Sequence, residues 1–116
     1  MIAVIFEVTP KDGMQGPYLE MAAKMKEHLE GFDGFISVER FESLTTPGKL
    51  LSLSIWRDED AVIRWRKLTA HRGAQEAGRQ SYFADYRLRV ASVMRDYGME
   101  DRAEAPADSR AHHGAL

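Results

Sequence analysis

Apolar and polar positions along the chain switch between a two-residue rhythm and a three-to-four-residue rhythm. Residues 2–9 are rich in β-branched side chains and stop at Pro10, which predicts a strand. Lys11-Asp12-Gly13 is turn chemistry. Pro17 suits the first turn of a helix, and Tyr18, Met21, Met25, Leu29 and Phe32 then recur at helical steps, with Gly31 as the stop. Residues 35–42 alternate, residues 45–48 form a turn, and residues 50–56 are apolar again, which together predicts a β-hairpin. Asp58, Glu59 and Asp60 then open a helix that carries Ala61, Val62, Trp65 and Leu68 on one side. A further helical stretch is expected over residues 70–80, and a long last strand over residues 82–97, closed by Gly98.

The resulting order is β-α-β-β-α-β, the ferredoxin-like α+β arrangement: a four-stranded antiparallel sheet with both helices on one face. Strands 2–9 and 50–56 look apolar on both sides, whereas a sheet with one wet face alternates. A second copy of the same sheet is the simplest cover for the open face, so a homodimer is expected. Residues 100–116 show no periodicity and are expected to form a disordered tail whose removal leaves folding intact, with residues 1–99 as the single domain.

Composition narrows the function classes. The 116 residues carry a net charge of −2, and residues 57–95 hold bases interspersed with acids rather than a basic face, so no nucleic-acid partner is expected. No apolar run approaches the ~20 residues of a membrane helix, and no secretory signal is visible, so a cytoplasmic protein is expected. There are no cysteines, which removes disulfides, thiolate metal sites and a cysteine nucleophile. Phosphate loops, dinucleotide fingerprints and nucleophile elbows are absent as well. His112 and His113 are adjacent and have no further ligands nearby, so no metal site is assigned.

Residues 34–41, residues 50–59, and the helix bearing Trp65 followed by Ala70-His71 resemble the antibiotic biosynthesis monooxygenase family, a likeness that extends over residues 2–98. The resemblance implies a dimeric α+β barrel. It also implies oxidation of polycyclic aromatic or quinol substrates by dioxygen without flavin or metal. A related haem-degrading branch uses a first-strand Asn with a Trp and a His. Trp65 and His71 match the last two, but residues 4–7 read Val-Ile-Phe-Glu and the chain contains no Asn.

The candidate catalytic residues are therefore His71, as general base on a phenolic or quinol hydroxyl, and Trp65, as a stacking wall. Trp65 also fits a core position on its helix. Phe6, Arg72, Phe83, Tyr86 and Arg87 are assigned to substrate binding, the arginines as anion stabilisers. The expected activity is a cofactor-independent monooxygenase acting on a small aromatic, quinol or polyketide-like molecule. A non-catalytic dimeric module for an apolar aromatic ligand, or a haem-binding or haem-degrading protein, are the alternatives.

Overall fold

The computed structural model describes residues 1–71 and 82–113. Strand β1 (Ile2–Pro10) leads to helix α1 (Gln15–Leu29), strands β2 (Phe35–Glu42) and β3 (Leu50–Trp56), helix α2 (Glu59–His71), strand β4 (Phe83–Ser92) and the short helix α3 (Ala107–His113). The four strands form one antiparallel sheet in the order β2-β3-β1-β4. The ferredoxin-like arrangement expected from the pattern is the one observed.

Local chemistry explains the element ends. Pro17 lies in the first turn of α1, where a missing N–H costs nothing. After Leu29 the chain leaves the helix through Glu30 in an extended conformation and Gly31 at φ 81°. Asp58 caps α2: its Oδ1 accepts the Ala61 backbone N–H at 2.9 Å. Glu59 and Asp60 follow in the first turn, where negative charge complements the helix dipole.

Cross-strand register separates the two faces of the sheet. Four rungs run across it on one side: Phe35-Trp56-Ile2-Ser92, Val38-Ser54-Val4-Val90, Arg40-Ser52-Phe6-Leu88 and Glu42-Leu50-Val8-Tyr86. The helices lie on this side. Val8 and Leu50 pack with Tyr18 of α1, and Trp56 packs with Leu29 of α1 and Ala61 of α2. Ala3, Ile5, Leu51, Leu53 and Ile55 make up the centre of the opposite face, with Glu7, Arg87 and Arg89 beside them.

Three expectations change. Ile36 is an extra residue between Phe35 and Ser37, a bulge that resets the alternation of β2 and brings Phe35, Val38 and Arg40 onto the helix side. The last strand ends at Ser92 rather than continuing to residue 97, because its partner β1 starts at Ile2 and only the Val93 N–H to Met1 carbonyl bond, 3.0 Å long, extends the ladder. The segment expected as a disordered tail carries local structure. Arg102 is 9% exposed and donates to the Gly98 carbonyl and the Ser109 hydroxyl, its guanidinium lies 5.2 Å from the Tyr97 ring centroid, and residues 107–113 are helical. The helical stretch expected over residues 70–80 falls, beyond the end of α2, outside the described residues. Among the described residues no helix is long and apolar enough to cross a membrane.

Candidate functional site

The core on the helix side is not continuous. One aromatic cluster gathers at one end: Phe83 packs on Phe6 (5.7 Å between ring centroids) and on Tyr18 (5.5 Å). A second gathers at the other end: Trp65 packs on Phe32 (5.4 Å) and Trp56 (6.4 Å), and Phe35 also meets Trp56 (5.4 Å). Between them the helix-facing residues of β3 are serines. Leu50 and Trp56 fill the ends of that strand, but Ser52 and Ser54 leave the middle rungs unfilled. The result is a cavity of about 210 Å³ between the sheet and the two helices.

Its floor is Val4, Phe6, Val38, Arg40, Ser52 and Ser54, with Leu88 and Val90 on the β4 side. Helix α1 contributes Tyr18, Met21, Ala22, Met25 and Leu29, and α2 contributes Val62, Trp65 and Arg66. Most of this wall is apolar or aromatic, with a few polar groups set into it, as in small-molecule pockets generally. Ser54 Oγ accepts from the Trp56 indole N–H at 2.9 Å and so fixes that ring.

The residues singled out from sequence divide sharply. Phe6, Trp65 and Phe83 line the cavity. Tyr86 stands behind them, its ring 5.7 Å from that of Phe6 and 6.0 Å from that of Phe83. Arg87 is a correction: its register partner is Glu7, which places it on the face away from the helices. There Arg89 and Lys49 ion-pair with Glu7 at 2.7 and 3.3 Å. His71 is the last residue of α2, and its side chain, like the whole of Arg72, lies outside the described residues.

Arg40, Arg66 and Ser52 were missed by the sequence reading. A charged residue in an alternating strand reads as solvent-facing, and only the bulge at Ile36 turns Arg40 inward. The available signal was in β3, where serines alternate with the leucines on the same face as Leu50 and Trp56. A polar residue at a core position marks a functional or strained site more often than an error of pattern.

The mouth of α2 is braced by charge. Arg57 grips both carboxylate oxygens of Asp33, at 2.9 and 3.3 Å, and reaches Asp58 at 3.0 Å. Arg64 bonds Asp60 at 3.0 Å and the Asp33 carbonyl at 3.2 Å, and stacks over Phe32 at 5.4 Å. Hydrogen bonding to Arg57 holds the Asp33 carboxyl below the usual range. The Ala61 N–H, then Arg57, does the same for Asp58, and Arg89, then Lys49, for Glu7. Folded-state values below unfolded ones give stability that is complete above the ordinary carboxylate range and is lost as pH falls through the lowered values. Thermal melting followed from about pH 7 to about pH 2 should therefore show a falling midpoint below about pH 4, with a shallower fall in Asp33→Asn. An acid limb of equal slope in that variant would exclude Asp33 as a contributor.

Comparison with known proteins adds the family. Residues 1–77 match the model of the antibiotic biosynthesis monooxygenase family. A Pyricularia oryzae protein named jasmonate monooxygenase ABM is 46% identical over 93 residues, 80% of this chain; the chain spans only 43% of that protein's length. The uncharacterised YqjZ of Bacillus subtilis is 34% identical over 93 residues, covering 80% of this chain and 79% of that one. Among solved structures, SnoaB of Streptomyces nogalater, described as a cofactor-independent oxygenase, superposes with a TM-score of 0.70. It is 13% identical, with 82% of this chain and 94% of that chain covered, and so supports the fold alone. With two thirds of its length matching the family model and a relative 34% identical across most of both chains, the chain belongs to the antibiotic biosynthesis monooxygenase family.

Proposed function

We propose that the protein is a cofactor-independent monooxygenase that reacts dioxygen directly with a small aromatic, quinol or polyketide-like molecule held between the sheet and the two helices. The observation that carries this reading is the aromatic-walled cavity, placed where the middle of the core would otherwise be. Family membership, and a relative named for the oxygenation of a small molecule, support it further.

In this reading a phenolic substrate inserts its ring system beside Trp65, and His71 takes the hydroxyl proton. The electron-rich anion passes one electron to dioxygen, and the radical pair combines into a hydroperoxide at the activated methylene carbon. Loss of water then leaves a carbonyl. The methylene carbon gives up four electrons; one oxygen atom enters the product, and the other leaves as water with the two methylene hydrogens. The apolar walls keep bulk water from quenching the anion.

Two protomers joined through the open sheet face complete the proposed assembly. Apolar side chains on that face support it: Ile5, Leu51, Leu53 and Ile55 lie side by side there, and Phe41, in register with Leu51, is 42% exposed.

Oxygen uptake across a panel of anthrones and hydroquinones tests the reading, with His71→Ala alongside. The wild type should consume oxygen with at least one of them, and His71→Ala should be slower by about 10²–10⁴-fold, the usual contribution of a general base. Ligand-dependent stabilisation without uptake would instead indicate a binding module. Undiminished uptake in His71→Ala would remove that residue from the mechanism.

A further inference from the structure

The cavity wall holds a partly buried cation that no carboxylate among the described residues neutralises. Arg40 projects from β2 onto the helix side, opposite Ser52. Its Nε is buried and finds no hydrogen-bond partner among the described residues. Buried donors are almost always paired in folded proteins, and an exception calls for an explanation. Arg57, Arg64 and Arg89 each hold a carboxylate, at 2.9, 3.0 and 2.7 Å respectively. Arg40 has no such partner among the described residues.

Its one neighbour of note is Tyr18, which is 3% exposed. Both side chains line the cavity, and the guanidinium lies close enough to the phenol to act on it electrostatically. Burial pushes the phenol above its ordinary range, so the proton stays on at neutral pH. The Arg40 guanidinium, the Tyr18 phenol and the Ser52 hydroxyl are thus polar groups set into the wall of an otherwise largely apolar cavity.

We propose that Arg40, Tyr18 and Ser52 form an anion-binding end of the cavity, so that the ligand is an amphipathic acid, its carboxylate at Arg40 and its apolar body against Trp65 and Phe83. A carboxylate fits better than a neutral oxygen for two reasons. Its two oxygens can each accept one donor, and hydrogen bonds between ionised partners are roughly twice as strong as neutral ones. A guanidinium is also the cation best suited to a partly buried site, because it is weakly hydrated. This assignment deepens the proposed function by naming the substrate class, and it rests on that cavity being the ligand site.

The protein carries its own probe. Its two tryptophans, Trp56 and Trp65, both line the cavity, so intrinsic fluorescence reports on occupancy. Naphthylacetate and its primary amide have nearly the same shape and differ in charge. Titrated at neutral pH, the acid should bind about tenfold tighter than the amide, and Arg40→Gln should reduce that ratio to about one. Arg66→Gln, which removes a cation from the exposed rim, should leave most of the preference intact.

Equal binding of acid and amide to the wild type would overturn the proposal, and that arm does not depend on any variant folding. Loss of the preference in Arg66→Gln but not in Arg40→Gln would overturn it too, as would failure of both probes to perturb either tryptophan. Turnover is not read in this experiment, so an anion preference without oxygen uptake would leave the site standing while removing the oxygenase reading.

Discussion

Gly34→Ala is expected to lose about 2–5 kcal/mol of stability, a large share of the total for a domain of this size. Gly34 joins α1 to β2 at φ 92°, a conformation that side chains rarely adopt. A Cβ there would press into the Cβ of Ala61, which has no exposed surface, and would stand 3.4 Å from the Arg57 guanidinium. Ala61 sits in the first turn of α2, so relief would have to come from moving that helix. The movement would strain the Arg57 N–H to Gly34 carbonyl bond, 2.8 Å long, and the Asp33 ion pairs, and would tilt Val62 and Trp65 in the cavity wall.

Urea unfolding measures the effect, with Gly16→Ala as control. Gly16 lies in α1 with nothing within 4 Å of an added Cβ, and alanine there should be neutral or stabilising by up to about 1 kcal/mol. A Gly34→Ala protein within about 1 kcal/mol of the wild type would show that the seat of α2 on the sheet is less constrained than the packing implies.

Trp65→Ala should weaken binding of an aromatic ligand by about 10- to 100-fold and cost about 2–4 kcal/mol of stability. The two losses have one origin. The indole contacts the rings of Phe32 and Trp56 on its core side and faces the cavity on the other. It is therefore both the core anchor and the pocket wall between which its sequence position could not choose. Trp65→Phe keeps an aromatic surface and should retain most of both. Titration followed by the remaining Trp56 separates the effects, because binding is measured on protein that is still folded. Unchanged affinity in folded Trp65→Ala would place the ligand elsewhere.

Most of the architecture was legible because each element carries its own local signal. β-branched residues before Pro10 mark β1, the spacing of Tyr18, Met21, Met25 and Leu29 marks α1, and Asp58 ahead of two further acids marks the start of α2. What was not legible depends on partners distant in sequence. The bulge at Ile36 arises in the pairing of β2 with β3, and without it the inward turn of Arg40 cannot be seen. Arg87 was assigned to the pocket because its guanidinium could steady a developing anion, but alternation along β4 sends it to the other face, opposite Glu7. The end of β4 at Ser92 is set by Met1, at the far end of the chain. Arg102 looked like one charge in a polar tail, yet its bonds to the Gly98 carbonyl and the Ser109 hydroxyl organise that segment locally. Aromatic wall residues were legible since Trp and Phe at core spacing are conspicuous, while the serines that create the space beside them sit in a strand that reads as apolar on both sides.

The most direct test of the central claim is a reaction under oxygen-isotope-labelled dioxygen, with metal- and flavin-free protein and an anthrone that supports uptake, followed by mass spectrometry of the product. Direct monooxygenation in the cavity predicts one labelled oxygen atom in each product molecule, with the yield falling in both Trp65→Ala and His71→Ala. Product that carries no label, or oxygen returned as hydrogen peroxide while the substrate carbon gains no oxygen, would contradict it.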